Sequence, residues 1–223
     1  MVQGIDKRRF ERYDVRLPVL YKRLGSTQGK AGVGWTRNIS LGGVCLDLDE
    51  RLEPKTALGV LFQTDRGAIE VEAEVVWAVT APGLDGGIGH GLEFRKLAPR
   101  QAQALERLLA ELQPTPRSGH RLALDIPLTV TPRERPAELI AGRTGNASRG
   151  GALLLLPRAL SVGALVTVRL QTPRQPLRVD AAVVWVDPPE KRQPGKAIRH
   201  GVQFVSLDWS TSLALGLLLT GAG

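Results

Sequence analysis

Apolar and polar residues alternate in short runs along most of this chain. Residues 16–22, 35–40, 44–48, 56–63, 68–79 and 90–95 each read as a short strand bounded by turn residues. Turn residues separate these runs. A connection over 25–34 joins the first strand to the second, Gly42-Gly43 interrupts the pattern before the third, and Thr64-Asp65-Arg66-Gly67 predicts a hairpin turn. The period then changes. From Pro99 to Leu112 the apolar residues Ala102, Leu105, Leu108, Leu109 and Leu112 recur at three- and four-residue steps, which predicts an amphipathic helix with proline in its first turn. A second helix is expected after Asp208, its capping residue, through Leu219 and stopped by Gly221. It is apolar nearly all round, which predicts burial against the strands, the other half of the chain or a second subunit. Short strands at this spacing imply a small antiparallel barrel or sandwich.

The whole pattern occurs twice. Asn38-Ile39-Ser40-Leu41-Gly42-Gly43 returns as Asn146-Ala147-Ser148-Arg149-Gly150-Gly151, Glu72–Trp77 as Asp180–Trp185, and His90-Gly91-Leu92-Glu93-Phe94 as His200-Gly201-Val202-Gln203-Phe204. A period near 109 residues is too long for a solenoid repeat. The 223 residues therefore divide into two domains of one fold: residues 1–112, a linker over 113–119 rich in Pro, Ser and Gly, and residues 120–223.

Composition narrows the function. With 43% hydrophobic and 23% charged residues the chain has enough apolar material for globular cores. The single cysteine, Cys45, rules out an internal disulfide and a cysteine zinc cluster. The start carries no apolar stretch after its charges, and Leu213–Leu219 falls short of the ~20 residues a membrane span needs, so a cytoplasmic protein is expected. The net charge of +8 favours anionic partners. Few residues are aromatic (4%), too few for a nucleic-acid stacking platform, which argues against nucleic acid as the partner. No nucleophile elbow, P-loop, paired-carboxylate motif or metal-ligand spacing is present. No catalytic residue, metal or cofactor is therefore assigned. His90 and His200 occupy matching strand positions before glycine and read as structural, as do the glycines Gly42 and Gly150 at the turn and the tryptophans Trp77 and Trp185 in the core.

What recurs with the fold is a pair of arginines four residues apart followed about 25 residues on by Asn-x-Ser-x-x-Gly. The first copy has Arg8, Arg12, Asn38, Ser40 and Gly43; the second has Arg117, Arg121, Asn146, Ser148 and Gly151. Arginine can fork onto a guanine edge or a phosphate and can stack on a purine face. Asn and Ser can reach base edges and phosphates, and glycine permits close backbone approach. The paired motifs resemble the signature of the PilZ family of bacterial cyclic di-GMP receptors, RxxxR with [D/N]xSxxG. The resemblance implies an all-β fold of two tandem six-stranded antiparallel barrels, each followed by an α-helix. It implies cyclic di-GMP as the ligand, held by Arg8, Arg9, Arg12, Asn38, Ser40, Gly42 and Gly43 in one copy and by Arg117, Arg121, Asn146, Ser148, Gly150 and Gly151 in the other. The arginines would lie on a segment ahead of the first strand that folds over the ligand, and Lys7 before the first pair allows a stacked pair of ligands there. The resemblance further implies a protein partner whose control is exerted through the relative orientation of the domains; the apolar C-terminal helix also allows a homodimer. The competing reading is a PilZ-fold interaction scaffold that binds no nucleotide. Such members usually lose signature arginines, whereas this chain keeps all four.

Overall fold

A computed structural model describes residues 10–25, 31–80, 87–112, 121–173 and 175–221. The chain forms two compact units. The first contains β1 (Tyr13–Asp14), β2 (Pro18–Arg23), β3 (Gly32–Ile39), β4 (Gly43–Leu48), β5 (Ala57–Thr64), β6 (Gly67–Thr80), β7 (Ile88–Phe94) and α1 (Pro99–Glu111). Strands β2 to β7 run in the order β3-β2-β5-β6-β7-β4, and β3 pairs with β4, so the sheet closes into a six-stranded antiparallel barrel. Closure removes the free edges an open sheet would present. The second unit repeats this with β8 (Leu122–Ala123), β9 (Pro127–Pro132), β10 (Ile140–Ser148), β11 (Gly151–Leu156), β12 (Leu165–Leu170), β13 (Leu177–Val186), β14 (Ile198–Ser206) and α2 (Trp209–Leu219), closed by the β10–β11 pairing.

The two-residue strands β1 and β8 are absent from the sequence reading, which has only one strand before residue 25. β1 and β2 lie end to end along β3, with Tyr13 opposite Ile39 and Pro18 opposite Trp35. Between them a buried threonine stands in for the ladder. Thr36 Oγ1 accepts the Leu17 amide at 2.8 Å and donates to the Val15 carbonyl. Thr144 does the same in the second barrel, accepting from the Ile126 amide at 3.0 Å and donating to the Leu124 carbonyl at 2.5 Å. A side-chain hydroxyl satisfies both buried backbone groups where the strand breaks. β3 also begins earlier than the sequence suggests, at Gly32 rather than Trp35.

The alternating apolar residues fill the first barrel. Val19, Leu46, Leu58, Val60, Phe62, Val71 and Val75 are buried together, and Phe62 meets Phe94 edge to face at 6.1 Å. Helix α1 adds Leu105, Leu108 and Leu109 to that cluster. Gln101 fixes its start: the side chain accepts the Ala98 amide at 2.7 Å and donates to the Glu70 carbonyl of β6 at 2.8 Å. In α2 the Asp208 carboxylate accepts the Thr211 amide at 2.6 Å. This amide contact, aided by the Thr211 hydroxyl, holds the carboxyl below the usual carboxylate range. α2 packs on its own barrel, where Ser212, Leu215, Gly216 and Leu219 are buried.

The matched histidines are fully buried clasps. His90 Nε2 accepts the Leu52 amide at 3.0 Å and Nδ1 faces the Ile88 carbonyl at 2.9 Å. His200 repeats this with the Leu160 amide at 3.0 Å and the Ile198 carbonyl at 2.9 Å. These partners assign the neutral tautomer protonated on Nδ1. Burial pushes both imidazoles below the usual histidine range. A group with a depressed folded-state pKa is protonated first in the unfolded chain as pH falls. The stability from these neutral rings is therefore complete above the ordinary pKa of 6.5 and declines below it. Each ring contributes a slope of at most ~1.4 kcal/mol per pH unit. The urea midpoint is expected to fall between about pH 7 and about pH 5, and His90→Gln with His200→Gln to flatten that dependence. An unchanged slope in the double variant would assign the pH dependence to other groups.

Candidate ligand-binding site

The first-copy motif converges because strand pairing brings its two halves together. β1 places Tyr13 opposite Ile39 and Asp14 opposite Asn38, so Arg12, one residue earlier, stands beside Ser40. Ile39 is fully buried in the core, and alternation turns its neighbours Asn38 and Ser40 to the other face. The Ser40 hydroxyl shapes the loop that follows, donating to the Gly43 carbonyl at 3.2 Å and accepting the Gly42 amide at 3.3 Å. Phe10 closes over this turn: a β-carbon on Gly42 would lie 2.6 Å from its ring.

The opposite wall comes from β6 and β7. Strict alternation from Val71 through Ala73 and Val75 would send Trp77 into the core. A β-bulge between Val75 and Trp77 shifts the register and turns the indole outward, as bulges do when they re-aim a side chain. Trp77 is 39% exposed and Trp185, after the matching bulge between Val183 and Trp185, is 42% exposed. Both tryptophans are thus corrected from core to surface; the buried tryptophan of the first barrel is Trp35. The Trp77 ring lies over Gly91, where a β-carbon would sit 2.1 Å from indole Nε1. Arg12, Asn38, Ser40, Gly42 and Gly43, with Phe10, Trp77, Cys45, Gly91 and Glu93, line one cavity of about 320 Å³. Volumes of this order suit small ligands.

Electrostatics separate the arginines at this end of the barrel. Asp47, almost wholly buried, accepts from Arg16 at 2.7 Å and Arg37 at 2.5 Å, so both guanidinium groups are engaged. Among the described residues no acidic side chain pairs with Arg12, which is exposed at the cavity rim. Burial pushes the thiol of Cys45, one of the cavity-lining residues, up, against a smaller opposing effect of Arg37.

The second copy has the same frame. Ala123 pairs with Asn146 and Leu122 with Ala147, so Arg121 stands beside Ser148 as Arg12 does beside Ser40. Ser148 donates to the Gly151 carbonyl at 3.3 Å. The Asn146 Oδ1 is buried without a hydrogen-bond partner among the described residues. The surroundings differ. Arg149 replaces Leu41 and its Nε donates to Ser212 of α2 at 3.2 Å. The Trp185 ring is faced by the Arg199 guanidinium at 5.8 Å, itself held by Asp187 at 2.9 Å. That guanidinium keeps the Asp187 carboxyl below the usual range.

The glycines of the motif divide by role. A β-carbon on Gly43 would meet the Leu92 carbonyl oxygen at 2.2 Å, and one on Gly151 the Val202 carbonyl oxygen at 2.2 Å. The close approach these positions need is to the neighbouring strand. A β-carbon on Gly150 would meet nothing within 4 Å. Arg8, Arg9 and Arg117 lie outside the described residues. Phe10, Trp77 and Glu93 were missed by the motif reading; the one sequence signal for Trp77 is its return as Trp185 after the same valine pair.

Two closed barrels with helices, each carrying this constellation on one end of β3 or β10, define a tandem repeat of a single domain type. The model of the PilZ domain family matches residues 6–111 and again 115–219, and the chain belongs to that family. PilZ-domain proteins are receptors and regulators and generally not enzymes. Similar solved structures include the PilZ domain of YcgR from Escherichia coli with c-di-GMP, at 15% identity over 48% of this chain and 92% of that one, TM-score 0.43. Bacillus subtilis inhibitor of motility (MotI/DgrA) is 13% identical over 94% of this chain and 96% of that one, TM-score 0.40. Borreliella burgdorferi PlzA in complex with c-di-GMP is 13% identical over 94% and 95%, TM-score 0.36. No curated protein matches the chain. Among the described residues no group of His, Cys, Asp and Glu could hold a metal ion, and no helix is long and apolar enough to cross a membrane.

Proposed function

We propose that this protein is a cyclic di-GMP receptor with one site in each PilZ domain, at 1–112 and 120–223, joined by a linker over 113–119. The observation that carries the reading is the convergence of Arg12, Asn38 and Ser40 with Trp77 around one cavity. The ligand offers two phosphates and two guanines. Arg12 supplies a charged fork for a phosphate or the O6/N7 edge of guanine. Trp77 and the guanidinium plane supply flat faces for the purine. Asn38 and, in the second domain, Asn146, whose Oδ1 has no hydrogen-bond partner among the described residues, supply amide groups for a base edge. Glu93 at the rim is an acceptor for guanine N–H groups. Arg8 and Arg9 complete the grip on the first ligand, and Arg117 with Arg121 the grip on the second. Because that second arginine pair adjoins the linker, closing it on a ligand ties occupancy to the segment between the domains and thereby to the control of a partner protein.

Titration calorimetry of the full chain with cyclic di-GMP tests the reading. Saturable binding at two or more ligands per chain is expected, accompanied by quenching of indole fluorescence that Trp77→Leu diminishes. No heat and no change in melting temperature would reject nucleotide binding and leave a PilZ-fold interaction scaffold.

A further inference from the structure

The two barrels carry opposite charge on equivalent outer faces. In the second, β9, β12 and β13 turn alternate residues outward onto a trough of about 900 Å³. Arg169 stands directly opposite Arg178 on one side and Thr129 on the other. Like charges placed opposite one another across an antiparallel pair are destabilising, and Arg133 adds a third cation to the same trough. Among the described residues none of these three arginines has an acidic partner. The one carboxylate lining it among the described residues, Asp180, accepts from Thr167 Oγ1 at 2.7 Å. Leu139, Leu165 and Val205, 71%, 41% and 59% exposed, border the trough. A face with this composition lacks both its counter-charge and its apolar cover.

The matching face of the first barrel supplies both. On β6, Glu70, Glu72 and Glu74 stand two residues apart, on one side of the strand. Glu70 occupies the place that Arg178 holds in the repeat. Glu70 and Glu72 are exposed and, among the described residues, unpaired; Glu74 pairs with Arg95 at 2.6 Å. Beside them β2 and β5 place the half-buried Leu20 opposite the half-buried Leu61, with Lys22 on the same side of β2. None of these residues lines the cavity of the first domain.

We propose that the arginine trough of the second domain receives the glutamate face of the first domain of another copy of this chain. Each chain has both faces, so two chains related by a two-fold axis make the contact twice. Arg169 and Arg178 meet Glu70 and Glu72, and the exposed Leu139 and Leu165 lose their water against the half-buried Leu20 and Leu61. The contact does not involve nucleotide and stands or falls separately from the receptor reading.

Sedimentation of the full chain without nucleotide tests this. A mass that rises from one chain to two with concentration is expected at about 50 mM salt, and about 500 mM salt should raise the dissociation constant tenfold or more. Arg169→Glu with Arg178→Glu, and separately Glu70→Arg with Glu72→Arg, should each abolish the dimer. Circular dichroism and melting temperature establish that each variant is folded. Mixing the two variants should restore a dimer, since every contact then pairs opposite charges again. A wild-type chain that stays single at all concentrations overturns the proposal. So does a dimer insensitive to salt and charge reversal, or a mixture that fails to associate.

Discussion

Arg12→Ala is expected to weaken cyclic di-GMP binding by the first domain about 100-fold while leaving its folding intact. A charged, forked hydrogen bond to phosphate or guanine contributes about 2–3 kcal/mol when its loss leaves the partner unsatisfied, which corresponds to roughly two decades in affinity. The same side chain makes little contribution to the fold. It is exposed, and among the described residues it has no acidic partner, so truncation should change stability by no more than ~0.5 kcal/mol. Arg16 and Arg37 contrast with it, since both are held by the buried Asp47 and belong to the framework. Calorimetry on the full chain separates the two domains' contributions: Arg12→Ala should remove the heat of one site and keep the other. An affinity unchanged at both sites would remove Arg12 from the ligand and with it the reading of the cavity.

Gly43→Ala is expected to destabilise the first barrel by about 3 kcal/mol, lowering its melting temperature by more than ~10 °C. Gly43 pairs with Glu93 and its neighbour Val44 with Leu92, and a β-carbon would lie 2.2 Å from the Leu92 carbonyl oxygen. The obstacle is backbone, which cannot rotate aside, so β4 and β7 must part at the seam beside the cavity. Gly150→Ala, at the other glycine of the motif in the second copy, is the control. No atom lies within 4 Å of its β-carbon position, and its φ is not among the positive values. That substitution should be neutral within ~0.5 kcal/mol or slightly stabilising through the unfolded chain. Scanning calorimetry of both variants measures the difference. Equal melting of the two would mean that strand packing is not what requires glycine at position 43.

The strands, the helix over residues 99–111 and the doubling of the fold were all legible in the chain, because period two, period 3.6 and a repeat near 109 residues are local or self-referential patterns. The short strands β1 and β8 were not. Two residues carry no periodicity, and their pairing depends on where Ile39 and Ala147 fall once the barrel has closed. Trp77 shows the same limit from the other side. Its parity in sequence points inward, and only the bulge at Val76 reverses it. Bulges are defined by two strands together and leave no mark in one.

The sequence by itself determined the fold of each domain and the residues of the two motifs, since alternation decides which face is buried and the repeat confirms the frame. Tertiary structure alone decided the rest. It brought Arg12 beside Ser40 through the pairing of β1 with β3, set Trp77 over Gly91 as a wall of the same cavity, and engaged Arg16 and Arg37 with Asp47 while leaving Arg12, among the described residues, without an acidic partner. It also showed that glycine is required at positions 43 and 151 by a neighbouring strand. Contacts between residues far apart in the chain depend on register and closure, and these are properties of the whole barrel that no single segment encodes.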